Sequence, residues 1–263
     1  MRVYIEGIGI AGPGLAGWAA AKLVLAGEQS YHPSPVLLHP VAALPSAERR
    51  RTGAAVKLAF ATGIEAVTNA GRAAADMATV FASSGGDGDT IHDILQVLTA
   101  PPREVSPTRF HNSVHNAPSG YWAVATGARS PSTSICAFDA SFAAGLLDAA
   151  AQAVADGQPV TLIAYDLPYP EPLHAKRRIG SVFAAALVLT PHQTAACLAA
   201  LDIRTCGDDI AATKMTNPAL EDLRLGNPAA RSLPLLAALV RGNGTVFVEW
   251  LDGACLRTEV IPL

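Results

Sequence analysis

Reactive side chains crowd one stretch of this sequence, from Arg109 to Gly157: RFHNSVHNAPSGYWAVATGARSPSTSICAFDASFAAGLLDAAAQAVADG. Asp139 falls where a predicted strand becomes a predicted helix. The first helical amides and the helix dipole stabilise negative charge at such an elbow, a favoured place for a nucleophile. Here the elbow carries a carboxylate, whose ordinary task would be to cap the helix expected from Ala140. Cys136 offers a thiol three residues earlier, and with His111 or His115 as base it would make an acyltransferase or thioesterase. The alternation of Ser134, Cys136 and Phe138 also describes one face of a buried strand, which makes the same thiol a core residue. His111 and His115 are spaced for one helix face, as in some zinc sites, but no glutamate lies between them and no third ligand is evident. No metal is expected.

The elements that must position this stretch follow from the periodicity around it. Arg2 to Ile10 alternates as a strand, and Gly7-x-Gly9-x-x-Gly12 formally matches a dinucleotide fingerprint. Two of its glycines fall inside the strand, and no acidic residue closes a second strand about 20 residues on, so no nucleotide cofactor is expected. Helices are expected over Leu15 to Ala26 and from a Ser46 cap to about Ala70, where Gly71 stops the second. Pro35 to Val41 reads as extended. Met77 to Ala82 is an apolar strand running into Ser83-Ser84-Gly85-Gly86, and a short helix spans Thr90 to Leu98. Within the central stretch, a short helical piece and a glycine-punctuated helix precede a buried strand and the helix Ala140 to Asp156. That helix presents Phe142, Leu146, Leu147, Ala150 and Val154 on one side and Asp148, Gln152 and Asp156 as a polar stripe. Strands at Val160 to Tyr165 and Ser181 to Thr190 flank a loop marked by Pro168, Pro170 and Pro172. This alternation predicts an α/β domain with a largely parallel sheet covered on both faces. Thr205 to Pro228 reads as polar and irregular, Ala230 to Arg241 as a helix, and Gly244 to Pro262 as a hairpin turning at Asp252-Gly253.

Composition bounds the setting. The chain has 263 residues, 50% of them hydrophobic and 16% charged, with a mean hydropathy of +0.28. So little charge implies an extensive core or an apolar face kept for a partner. The longest obvious apolar run, Val182 to Leu189, is far short of the roughly 20 residues of a membrane helix. Glu6 and the glycines interrupt any signal-peptide core, so a cytoplasmic protein is expected. A formal charge of −3 argues against nucleic acid as a partner, and the basic clusters Arg49–Arg51 and Lys176–Arg178 read as solvated ends. Cys136, Cys197, Cys206 and Cys255 form no CxxC motif and read as reduced core thiols.

The spacing Asn116, Gly120, Gly127, Pro131, Asp139 resembles the nucleophile region of β-ketoacyl synthases of the thiolase fold. Three further pieces agree in order: VYIEGIGIAGPGL, RRRTGAAVKLAFATGIEAV and ATVFASSGG. The resemblance covers residues 1–195, leaving 196–263 as a short C-terminal extension packed on the same domain. HNSVHNAPSGYW and NPAARSLPLL are most similar to the short chain-length-factor subunits of aryl polyene and related type II pathways. Counted without gaps, the family's reactive cysteine falls on Asp139. The family's later histidine motifs have no counterpart, since His174 and His192 sit in neither.

The resemblance therefore implies a thiolase-like layered α/β sheet and a non-catalytic subunit, without a cofactor. That subunit would pair with a full-length ketosynthase as a heterodimer and shape the pocket for an acyl chain delivered on acyl carrier protein, in aryl polyene or fatty-acid-like biosynthesis. In that fold the strand before the nucleophile pairs across the dimer axis, which makes Ser132 to Ala137 an interface candidate. Asn116, Tyr121, Ser134, Cys136, Phe138, Asp139 and Phe142 become candidates for the acyl channel or partner interface, and Lys176, Arg177 and Arg178 for carrier-protein docking. The alternatives are an active condensing enzyme or acyltransferase using Cys136, and a homodimeric acyl-binding protein.

Overall fold

The structure, a computed structural model, describes residues 1–207 and 210–263, with Asp252 described by its backbone alone. Strand β1 (Arg2–Gly12) runs through the middle of one mixed sheet and closes on β2 (Leu15–Ala16). Helix α1 (Trp18–Ala26) starts three residues later than expected, because Leu15 and Ala16 are spent on that ladder. The helix expected from Ser46 to Ala70 is two, α2 (Ser46–Arg51) and α3 (Ala54–Asn69). Thr52 and Gly53 are extended between them, and Pro45, not Ser46, holds the N-cap position. Then follow β3 (Ala78–Ala82), α4 (Gly88–Leu98), α5 (Pro107–Asn112), α6 (Ala117–Thr126), β4 (Ser132–Ile135), α7 (Ser141–Asp156), β5 (Val160–Asp166), α8 (Leu173–Lys176) and β6 (Phe183–Thr190).

The tail is more regular than its polar composition suggests. It contains β7 (Ala199–Cys206), α9 (Pro218–Gly226), α10 (Leu233–Arg241), β8 (Gly244–Glu249) and β9 (Cys255–Ile261). Of the stretch read as irregular, residues 208–209 lie outside the described residues. Asn217 caps α9 by accepting from the Ala219 and Leu220 amides, and β8 and β9 form the expected hairpin, joined through a 3-10 turn at Leu251–Gly253.

The strand order is β4-β3-β5-β6-β1-β7-β9-β8. Only β3 pairs in parallel, with β4 and β5; the other ladders among the described residues are antiparallel. The expectation of a largely parallel sheet is thus corrected: strand–helix alternation gave parallel neighbours only where α4 to α7 supply the crossovers, while β6, β1 and the tail meet head to tail.

Both faces of the sheet are covered, as the apolar runs require. Leu162 and Ala164 of β5, with Leu187 and Leu189 of β6, face α7 together with Phe142, Leu146 and the tail's Leu233 and Leu236. Ile163, Tyr165, Ala186 and Val188 face the other way, onto α3 and α6 with Phe60, Tyr121 and Trp122. The glycines of the formal nucleotide fingerprint have a packing role: a Cβ at Gly7 would strike the Ala66 carbonyl, and one at Gly9 the Thr62 carbonyl. Their absence lets α3 lie against β1. Among the described residues, no helix is long and apolar enough to cross a membrane.

Candidate functional site

The elbow differs from its sequence reading in four respects. β4 ends at Ile135, lies at the edge of the sheet and is only half-buried. Cys136 lies beyond it and is exposed, so it is not a core strand thiol; among the four cysteines only Cys255 is buried. Phe138, with φ 53°, is the residue that turns the chain, one position before the point reached by gapless counting. A left-handed backbone on a bulky residue costs about 1–3 kcal/mol. Asp139 does not cap the helix: a 3-10 turn spans Phe138–Ala140, α7 begins at Ser141, and Ala140 at its N-cap makes no side-chain bond. Ser141 closes the turn instead, its Oγ accepting from the Ala137 amide at 3.0 Å and donating to the Phe138 carbonyl at 2.7 Å.

Asp139 is occupied by arginine. Arg177 Nη2 donates to its Oδ1 at 2.9 Å, and Arg231 Nη2 stands 3.8 Å from Oδ2. The Arg177 guanidinium also lies over the Phe138 ring, 3.5 Å from the ring centre, although the residue stays 62% exposed. The pairing continues through Arg231 to Glu249 at 2.8 Å, and from Glu249 to Arg224 and Glu221. The Arg224 guanidinium holds the Glu221 carboxyl down at about 2. The elbow is thus tied to the tail through charged side chains. Arg177 is not the solvated end its cluster suggested; Lys176 and Arg178 are exposed.

The other candidates separate. Tyr121 is buried on the α3 side, its hydroxyl donating to Asn112 Oδ1 at 2.9 Å, while Phe142 is buried on the opposite, α7 side. Asn116 is exposed at the start of α6. Ser134, Cys136, Phe138 and Asp139 remain together along β4 and the elbow. On α7, Phe142, Leu146 and Ala150 are buried as expected, but Val154 is exposed. His111 and His115 do not share a helix face, because α5 ends at Asn112; His115 Nε2 pairs with the Ser83 carbonyl at 2.9 Å. Among the described residues no three His, Cys, Asp or Glu side chains converge as a metal site would require.

Two features were not anticipated from the sequence. The first is an apolar groove of about 520 Å³ between α4 and the segment after β5, walled by Gly85, Gly88, Ile91, Leu95, Tyr169 and Leu173, with His92 and Lys176 also in its lining. Ile91, Leu95 and Leu98 follow one another at helical spacing in GDTIHDILQVL, yet no residue of α4 is buried. The second is Asp166, fully buried at the end of β5, where loss of hydration raises its carboxyl to about 7 against the pull of hydrogen bonds from Ser84 and Ser83.

A mixed, doubly covered sheet with a strand-to-helix elbow at its edge is the layered architecture of thiolase-like ketosynthases. The family model described as beta-ketoacyl synthase, N-terminal domain, matches residues 17–249, and the chain belongs to that family. The match passes well beyond residue 195, into the C-terminal segment outside the sequence resemblance. Among solved structures the chain is similar to one in a complex of the ketosynthase ApeO with its chain length factor ApeC from Xenorhabdus doucetiae (21% identity, TM-score 0.73, 98% of this chain and 99% of that one). It is also similar to chains of the ishigamide ketosynthase/chain length factor (14%, TM-score 0.75, 100% of each) and of AntDE:AntF, a type II polyketide synthase acyl-carrier protein in complex with its ketosynthase (13%, TM-score 0.77, 100% and 99%). No curated protein matches the sequence.

Proposed function

We propose that this chain is a non-catalytic, chain-length-factor-like subunit that pairs with an active β-ketoacyl-ACP synthase and walls part of its acyl pocket, in aryl polyene or fatty-acid-like synthesis. The elbow carries the reading: its turning residue is a phenylalanine and the following carboxylate is paired with arginine, so no thiolate stands at the helix start to take an acyl chain as a thioester. Similarity to chains of ketosynthase/chain length factor complexes over almost their whole length supports the same assignment. The half-exposed edge strand β4 is the surface offered to the partner, its unpaired backbone groups being open to another strand. The groove beside α4 is the part of the acyl pocket this subunit supplies. Lys176 and Arg178 are the exposed cations offered to an acidic carrier protein.

Co-expression with a ketosynthase of the same pathway should give a stable one-to-one complex, and failure to co-purify with any ketosynthase would overturn the pairing. In the reconstituted complex, Leu95→Trp should shorten the product and Ile91→Ala lengthen it, read by mass spectrometry of the released chains. The exposure of Cys136 favours a second reading, catalysis by that thiol. The test is intact mass after incubation of the chain alone with malonyl- or acyl-carrier protein; an adduct lost in Cys136→Ala would overturn the non-catalytic assignment.

A further inference from the structure

Asp166 is bound in an unusual way for a fully buried carboxyl. Its Oδ1 accepts three hydrogen bonds from the turn that follows β3: the Ser84 amide at 2.8 Å, Ser84 Oγ at 2.7 Å and Ser83 Oγ at 3.2 Å. Among the described residues Oδ2 has no partner. The same turn is held from inside by Ser83 Oγ, which accepts from the Gly86 amide at 2.9 Å. It is held from outside by two groups on its carbonyls, His115 Nε2 on Ser83 and Cys136 Sγ on Ser84 at 3.3 Å. The Asp166 carbonyl in turn receives Asn227 Nδ2 at 3.2 Å, so the tail braces the strand end that bears the carboxyl.

This turn forms one end of the apolar groove. A Cβ at Gly85 would strike the Tyr169 hydroxyl, and one at Gly88 would stand 2.6 Å from the Tyr169 ring. The width of the groove is therefore set by how closely residues 83–88 sit against Tyr169, three residues beyond Asp166.

We propose that Asp166 is a positioning residue for the groove, fixing the Ser83–Gly86 turn so that Gly85 and Gly88 receive Tyr169 and leave a cleft of defined width for an apolar chain. Its consequence for ligand binding rests on the groove assignment made above; the clasp itself does not.

The test uses the purified full chain alone. Hydrogen exchange read by mass spectrometry on the peptide spanning residues 83–90 should quicken about tenfold in Ser84→Ala, the protection worth one hydrogen bond, and by at least as much in Asp166→Ala, which removes the acceptor of three. Asp166→Asn keeps an acceptor in place of Oδ1 and should exchange as the wild type does. Ser84→Ala removes one hydroxyl and guards against a failure of Asp166→Ala to fold. Dodecanoic acid, titrated by calorimetry, should bind the wild type and Asp166→Asn alike and the two alanine variants at least about tenfold more weakly. Unchanged exchange in a folded Asp166→Ala or Ser84→Ala, or exchange in Asp166→Asn as fast as in the alanine variants, would overturn the clasp. A wild type that does not bind dodecanoic acid would overturn the groove assignment, and the exchange comparison would still decide the clasp.

Discussion

At the scale of single residues, the elbow illustrates how a side chain's role depends on the backbone angle of its neighbour. A carboxylate one position before a helix is expected to accept from the helix amides. The left-handed turn at Phe138 and the 3-10 segment after it carry Asp139 away from those amides and toward Arg177 and Arg231. Substitution separates the two roles. Asparagine caps a helix about as well as aspartate, so a capping role would leave Asp139→Asn near wild type. We expect Asp139→Asn and Asp139→Ala to cost the same, up to about 1 kcal/mol for a partly exposed ion pair, measured by urea denaturation. Asp166 makes an opposite kind of prediction, because its carboxyl lies near 7 in the folded chain against an ordinary 3.8. The folded state then holds this proton more tightly than the unfolded one, and the group's contribution is full below about pH 4 and lost as pH rises to about 7. Arg177 acts on it with positive charge, the neighbouring Tyr165 is coupled to it through their charged forms, and His115 and Cys136 reach the same turn. The thermal midpoint of Asp166→Asn minus that of the wild type should therefore rise from pH 4 to 7 and level off above it; a flat difference would show that the carboxyl does not titrate in that window.

At the scale of elements, what the sequence revealed depended on whether burial or pairing decided the outcome. β5 and β6 were legible because continuous apolar runs between turn residues admit few alternatives, and α7 was legible from its stripe. The direction of β6, β1 and β7 was not, since an apolar strand carries no mark of whether its neighbour runs parallel. β7 was not legible because Asp202, Arg204 and Thr205 break up its apolar run, and its partners β1 and β9 lie far from it in sequence. Around the site, Asp139 and Cys136 were visible as residue types, while the Asp166 clasp and the α4 groove depend on contacts between segments more than 60 residues apart. The contact of α3 with β1 shows the same dependence and can be tested. Gly9→Ala would force a methyl into the Thr62 carbonyl, an overpacking that costs about 1–3 kcal/mol or more. Denaturant unfolding should show that loss, whereas Gly27→Ala, with open space around it but a φ of 77°, should cost about 1 kcal/mol through backbone strain alone.

At the scale of the whole molecule, the tail completes the sheet. β7 pairs with residues 2–5 of β1, which on its other edge pairs with β6, so that half of the central strand gains its second neighbour from beyond residue 195. Helix α10 covers the α7 side of the same core with Leu233, Leu235 and Leu236, all fully buried. Arg224, its side chain 3% exposed, ties Glu221 and Glu249 together and through Arg231 reaches the elbow. A chain ending at residue 195 would uncover one edge of β1 and the apolar faces of Val3 and Ile5, leaving an open strand edge of the kind that drives aggregation. We therefore expect residues 1–195 expressed alone to give no cooperative thermal transition and to remain largely insoluble, while the full chain unfolds in one step by both calorimetry and circular dichroism. A soluble 1–195 fragment with its own sharp transition would instead establish that the first 195 residues are an independent folding unit and the tail an accessory to it.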